Sequence, residues 1–170
     1  MSHTDQDQWR EFKGLGPAKL AQIKAALEIG RRFREEEVLE ERPKMTSSKD
    51  VAEMMMPRLR DLKFEVFKTI LLDGQNRVIK IEEESQGTVN YAAPIIREIF
   101  QKALRQFTVS IICLHNHPSG DPTPSQEDCL FTNKLKEAGR IMQVRVLDHI
   151  IIGDNQYYSF ADHGRLDKVF

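Results

Sequence analysis

The spacing of apolar positions changes along the chain, and that change divides it near residue 42. Pro17 to Phe33 (PAKLAQIKAALEIGRRF) sets Leu20, Ile23 and Leu27 on one face at helical spacing, with Pro17 suited to a first turn, so a helix is predicted. REEEVLEERPKMTSS follows. Its Glu-rich part reads as a solvated extension of the helix, and Pro43 with the Thr/Ser cluster reads as a linker. Lys49 to Leu62 predicts a helix interrupted at Pro57. The period then shortens: FEVFKTILLD predicts a strand, DGQN a turn, and RVIKIEEE the hairpin partner. Gly87 to Asn90 reads as a further short extended piece. Pro94 opens a helix through Leu104, and TVSIICL is apolar nearly throughout, as a central strand is. A Gly/Pro-rich loop, a helix from about Pro124 to Ala138, and strands in QVRVLDHIIIG and QYYSFAD complete the order. Strands interleaved with long helices predict a mixed α/β sandwich over residues 43–170, behind a small all-α segment over 1–42.

Composition narrows the class. With 170 residues, 40% hydrophobic and 30% charged, the chain has the make-up of one soluble globular domain with a small appendage. No apolar run reaches the ~18 residues a membrane span needs, so no membrane contact is expected. MSHTDQDQWREF is polar and lacks the basic-then-apolar order of a secretory signal. Cys113 and Cys129 alone make no disulfide framework, and the expected compartment is intracellular, in the cytoplasm. A net charge of −1 carries no overall nucleic-acid footprint, so any DNA affinity must come from a local patch.

The candidate chemistry lies in LHNHPSGDPTPSQED, residues 114–128. If the strand direction over Thr108 to Leu114 persists to His117, alternation sends His115 and His117 to one face at the strand's C-terminal end. That end of a strand is a common place for α/β active sites. Thr123 is placed to cap the following helix and Pro124 to open it, while Ser125 and Asp128 share one helical face. Two imidazoles and a carboxylate (His115, His117, Asp128) make a three-ligand zinc set with a fourth position for water, the pattern of catalytic zinc. The same Ser125 and Asp128 also fit a capping box, which needs no metal.

The string H115-N-H117-P-S-G-D-P-T-P-S125-Q-E-D128 resembles the JAMM motif of MPN-type metallopeptidases: an upstream Glu, then H-x-H, seven residues, S, two residues, D. HNHPSGDPTPS, with Gly87-Thr88, PIIREIFQKAL at 94–104 and LDHIIIG at 147–153, resembles more narrowly the bacterial RadC family, labelled DNA repair proteins. The resemblance runs from about residue 46 to the C-terminus. It implies a JAMM/MPN fold with a core related to cytidine deaminases, and one Zn2+ per chain on His115, His117 and Asp128. It implies Ser125 as the motif serine assisting the water and the oxyanion. Glu65, a lone acid opening an otherwise apolar strand, is the choice for the motif glutamate and general base. The implied activity is metalloprotease-type hydrolysis of a peptide or isopeptide amide in an unknown substrate, by a zinc-activated water.

Other readings fit less well. The tripeptide HNH is not the dispersed residue set of an HNH nuclease. A zinc deaminase needs H-x-E followed by P-C-x-x-C, whereas the two cysteines here are sixteen apart. Cys113 and Cys129 read as packed residues. His149, in VLDHIII, could line the pocket, although a strand-end histidine is more often structural. The alternative function class is a DNA-repair-associated binding module with a structural or vestigial metal site. It draws on FKGLGPAKL, which resembles the hairpin of a helix-hairpin-helix, with Gly14 and Gly16 letting the backbone approach a phosphate and Lys19 nearby. From Lys13 to Arg34 six basic residues face one acidic, which fits weak, non-specific DNA contact through residues 13–34. The family pattern has more chain ahead of this hairpin, so the resemblance implies a shortened member. Oligomeric state is not indicated.

Overall fold

The computed structural model describes residues 16–86 and 94–166, in two compact units divided between Pro43 and Lys44. In the first unit, helix α1 (Pro17–Glu41) runs on through the Glu-rich segment expected as its extension. Leu20 and Ile23 are half-buried while Leu27 is exposed, so the apolar stripe is only partly covered.

The second unit contains helices α2 (Ser48–Leu59), α3 (Ile96–Arg105) and α4 (Gln126–Met142). Its strands are β1 (Val66–Leu72), β2 (Val78–Gln86), β3 (Ser110–Asn116), β4 (Arg145–Ile152) and β5 (Tyr157–Ser159), in the order β2-β1-β3-β4-β5. Only β3 and β4 pair in parallel, with α4 as their connection; the other neighbours are antiparallel. Phe67 and Leu71 of β1 and Ile111 and Cys113 of β3 form a core with Ile99 and Phe100 of α3 and Phe131 and Leu135 of α4. Ile70, Ile112 and Leu114, on the alternate pleat, are fully buried too, and α2 packs against β4.

Several expectations shift. Lys44 to Ser48, read as linker, is part of the second unit. Met45 is buried and its N–H donates to the Asn76 carbonyl, while Ser47 caps α2 in a reciprocal box with Asp50. Serine suits a cap for the same reason that it suits a linker: its hydroxyl bonds nearby backbone. Pro57 lies inside α2 without interrupting it, because burial of Val51, Ala52, Met55 and Leu59 outweighs one missing backbone bond near the helix end. Pro94 precedes α3, whose N-cap is Ile95. Helix α4 starts after Ser125, not at Pro124: Thr123 is drawn away, its N–H and hydroxyl both donating to Asp121 Oδ1. The short extended piece expected at 87–90 lies outside the described residues.

Candidate metal centre

The cluster is built where β3 ends. His115 is buried within the strand; His117 lies one residue past it, yet its N–H donates to the Ile152 carbonyl at 2.9 Å, which carries the strand direction onward. Both imidazoles therefore come to one face, with their Nε2 atoms 3.1 Å apart. Asp128, in the first turn of α4, sets Oδ1 3.3 Å from His115 Nε2 and Oδ2 3.5 Å from His117 Nε2. Glu65 immediately precedes β1, and its Oε1 stands 3.9 Å from His115 Nε2. Ser125 caps α4 beside Asp128. All five expected residues of this site come together.

The donor set fits a zinc-sized cation. Ligand atoms placed tetrahedrally at roughly 2.0–2.2 Å from an ion lie about 3.3–3.6 Å from one another. The two Nε2 atoms, 3.1 Å apart, and Asp128 Oδ1, 3.3 Å from His115 Nε2, stand near that edge, while the 3.5 Å approach to His117 is made by the other carboxylate oxygen, Oδ2; one donor atom from each residue lies within 4.8 Å of the other two. His117 is oriented for it: its Nδ1–H donates to the Asp121 carbonyl at 2.8 Å, so Nε2 turns its lone pair toward Asp128 and His115. No acid or thiol besides Asp128 joins the two histidines in a metal-sized group among the described residues.

Ser125 and Asp128 form the capping box after all, and the cap is what aims the ligand. Ser125 N–H and Oγ–H both donate to Asp128 Oδ2, at 2.8 and 2.7 Å, and Asp128 N–H returns a bond to Ser125 Oγ. The two readings of S-x-x-D are thus compatible. A hydroxyl has one proton, and here Ser125 donates it in a hydrogen bond to the aspartate; donation to an oxyanion requires that bond to be exchanged.

The electrostatics agree with the geometry. Burial pushes Asp128 upward, but its contacts with His115, His117 and Ser125 prevail and hold it far below the usual carboxylate range. In its protonated form His117 donates from Nε2 to Asp128, and that contact raises it against the opposing effect of burial. Glu65 is raised chiefly by burial, and Asp128 adds to the rise while the histidines oppose it. That is the direction required of a carboxylate that takes up and returns a proton near neutrality.

Asn116, between the histidines, points elsewhere. Its Oδ1 accepts from Val66 N–H at 2.9 Å and its Nδ2 donates to the Phe64 carbonyl at 3.1 Å, so it pins the backbone on both sides of Glu65. The histidine loop is held by close approach at Gly153, where a Cβ would lie 2.3 Å from the Gly120 carbonyl oxygen. Gly120 itself takes φ +84, which favours glycine.

His149 lies in the middle of β4, fully buried, with Nε2 3.0 Å from His115 Nδ1 and Nδ1 2.6 Å from Thr132 Oγ1. β4 is buried on both faces from Leu147 onward, so no period marked His149, and its contact with His115 was not readable. Cys113 is buried core, and burial pushes its thiol far up, away from nucleophile behaviour. Cys129 is half-buried and accepts a bond from Arg165. Of the expected phosphate contacts, Gly16 and Lys19 belong to the first unit and are exposed there, and Gly14 lies outside the described residues.

A mixed sheet that brings His115 of β3 and His117 just beyond it onto a helix-borne aspartate, in a group that could hold a metal ion, is the arrangement of a JAB/MPN-type domain. The family model described as RadC-like JAB domain matches residues 45–165, and the chain belongs to that family. It is 46% identical over 155 residues to a UPF0758 protein of Pelobacter propionicus, covering 91% of this chain and 67% of that one. A UPF0758 protein of Trichlorobacter lovleyi is 43% identical over 166 residues, 98% of this chain and 72% of its own length. One from Methanosarcina mazei is 46% identical over 154 residues, 91% and 67%. No helix among the described residues is long and apolar enough to cross a membrane.

Proposed function

We propose that this chain is a zinc-dependent hydrolase that cleaves a peptide or isopeptide amide, with His115, His117 and Asp128 holding the ion. The observation that carries this reading is the convergence of the three donors with a carboxylate of raised pKa, Glu65, 3.9 Å from His115 Nε2. When bound, zinc supplies a Lewis acid that polarises the carbonyl and brings the pKa of water toward neutrality. Glu65 accepts the proton of the attacking water and passes it to the leaving nitrogen, as the C–O bond forms and the C–N bond breaks. Ser125, at the N-terminus of α4, stands where the helix dipole favours the negative charge that develops on the carbonyl oxygen. The scarcity of cysteine fits a cytoplasmic setting. The test is a broad peptide and isopeptide library offered to the zinc-loaded full chain. Cleavage that Glu65→Gln abolishes supports the reading, and no cleavage across the library contradicts it.

A second, separate reading concerns the first unit: weak, non-specific DNA contact through residues 13–34, favoured by six basic residues against one acidic there. Fluorescence anisotropy with duplex, forked and single-stranded DNA tests it, and salt-independent or absent binding ends it.

A further inference from the structure

The proposed chemistry leaves one buried titratable ring beside the site unused. His149 is enclosed by Phe67, Phe131 and Phe160, with the Phe160 ring stacked on it at 5.1 Å. Each of its ring nitrogens faces one partner, Thr132 Oγ1 at 2.6 Å and His115 Nδ1 at 3.0 Å, a pair that an imidazole with one N–H and one lone pair satisfies.

Its partners decide which nitrogen holds the hydrogen. Thr132 Oγ1 lies 2.6 Å from the Asp128 carbonyl oxygen and 2.6 Å from His149 Nδ1. A carbonyl only accepts, so the threonine proton goes to it. His149 Nδ1–H must then donate to Thr132 Oγ1, which leaves the lone pair on Nε2. That atom is 3.0 Å from His115 Nδ1, so His115 Nδ1–H donates to it. His115 Nε2 is left with its lone pair directed at His117 and Asp128, 3.1 and 3.3 Å away.

We infer that His149 and Thr132 are positioning residues: a one-way hydrogen-bond relay from His115 to the backbone of Asp128 that fixes His115 as an Nδ1–H imidazole with Nε2 presented to a metal. The relay also ties the strand-borne ligand to the peptide of the helix-borne one. Ligand histidines commonly give their second N–H to a carboxylate or a carbonyl; here a neutral histidine stands between ring and carbonyl, and its direction is set at the far end by Thr132. The inference rests on the metal reading of the site.

Two measurements on the full chain test it. Long-range 1H–15N spectra of histidine-labelled protein, with and without zinc, should show His149 as the Nδ1–H tautomer; an Nε2–H tautomer overturns the relay. Zinc affinity by chelator competition should then separate two variants. His149→Phe fills the cage without the bond and should bind zinc ~10–100-fold more weakly. His149→Gln, which can accept from His115 and donate to Thr132, should stay close to wild type. A merely structural role would not divide the variants this way, and equal affinity of wild type and His149→Phe overturns the proposal. If His149→Phe does not fold, Thr132→Val against Thr132→Ser reads the same relay, with loss expected only for valine. Wild type that takes up no zinc sinks the metal reading, while the tautomer of His149 still reports on the relay itself.

Discussion

Asp128 and Asp148 are both buried in the second unit, and their surroundings drive them in opposite directions. Asp128 meets two imidazoles as well as Ser125, and is held far down. Asp148, in β4, accepts from the N–H groups of His149 and Ala161 and from the Ser159 hydroxyl, all neutral donors. Burial there outweighs the donors and raises the carboxyl to about 6. The difference teaches what each carboxylate is for. Neutral donors let Asp148 fasten β4 to β5 and the turn that follows, whereas Asp128, aimed by Ser125, faces two imidazole nitrogens in a group that could hold a metal ion.

The largest effect expected is on turnover. Glu65→Gln should lower amide hydrolysis by ~10²–10⁴-fold while zinc content stays at the wild-type level, read by steady-state rates beside elemental analysis. Equal loss of zinc would make Glu65 a ligand and not a base. Asn116→Ala leaves the Val66 N–H and the Phe64 carbonyl without this partner and should cost about 2–3 kcal/mol in denaturant unfolding. It should also reduce turnover, because it unpins Glu65.

The comparison itself is sharpened by pH. The folded Asp148 carboxyl is raised above its unfolded value of about 3.9, so its contribution to stability is full below about pH 4 and is lost as pH rises through about 6. Asp148→Asn should therefore flatten the fall in stability between about pH 4 and 6, by ~1–2 kcal/mol. Asp128 is lowered, so its contribution is present above the ordinary carboxylate range and is lost in acid; Asp128→Asn should remove stability at neutral pH from zinc-free protein. Parallel slopes for the two variants in thermal melts across pH would break the distinction. The smallest effect belongs to the first unit: Lys19→Glu should weaken DNA binding uniformly across sequences and reduce its salt slope by about one.

How much of this was readable in the chain depends on how local the cause is. TVSIICL announces a strand buried on both faces, and H-x-H with S-x-x-D announces convergence, because alternation and helical spacing act over a few residues. The start of α4 was misplaced since Thr123 has a nearer competitor, Asp121, that spacing does not rank above capping. FEVFKTILLD announces a strand, but that β1 is covered throughout was not readable from it: even Lys68 is buried, with Nζ 2.9 Å from Glu83. The roles of Asn116 and His149 depend on partners that are far apart in sequence, Val66 for the one and His115 for the other. No period in the sequence carries such pairings, and Glu65 itself was placed by resemblance and not by spacing.

The most direct test of the central claim is the zinc content of wild type and His117→Ala, purified in parallel without added metal and measured by elemental analysis. Near one zinc per chain in wild type, lost in the variant, is the result predicted. No zinc in either, even after anaerobic reconstitution, would contradict it and leave Ser125 and Asp128 as a helix cap alone.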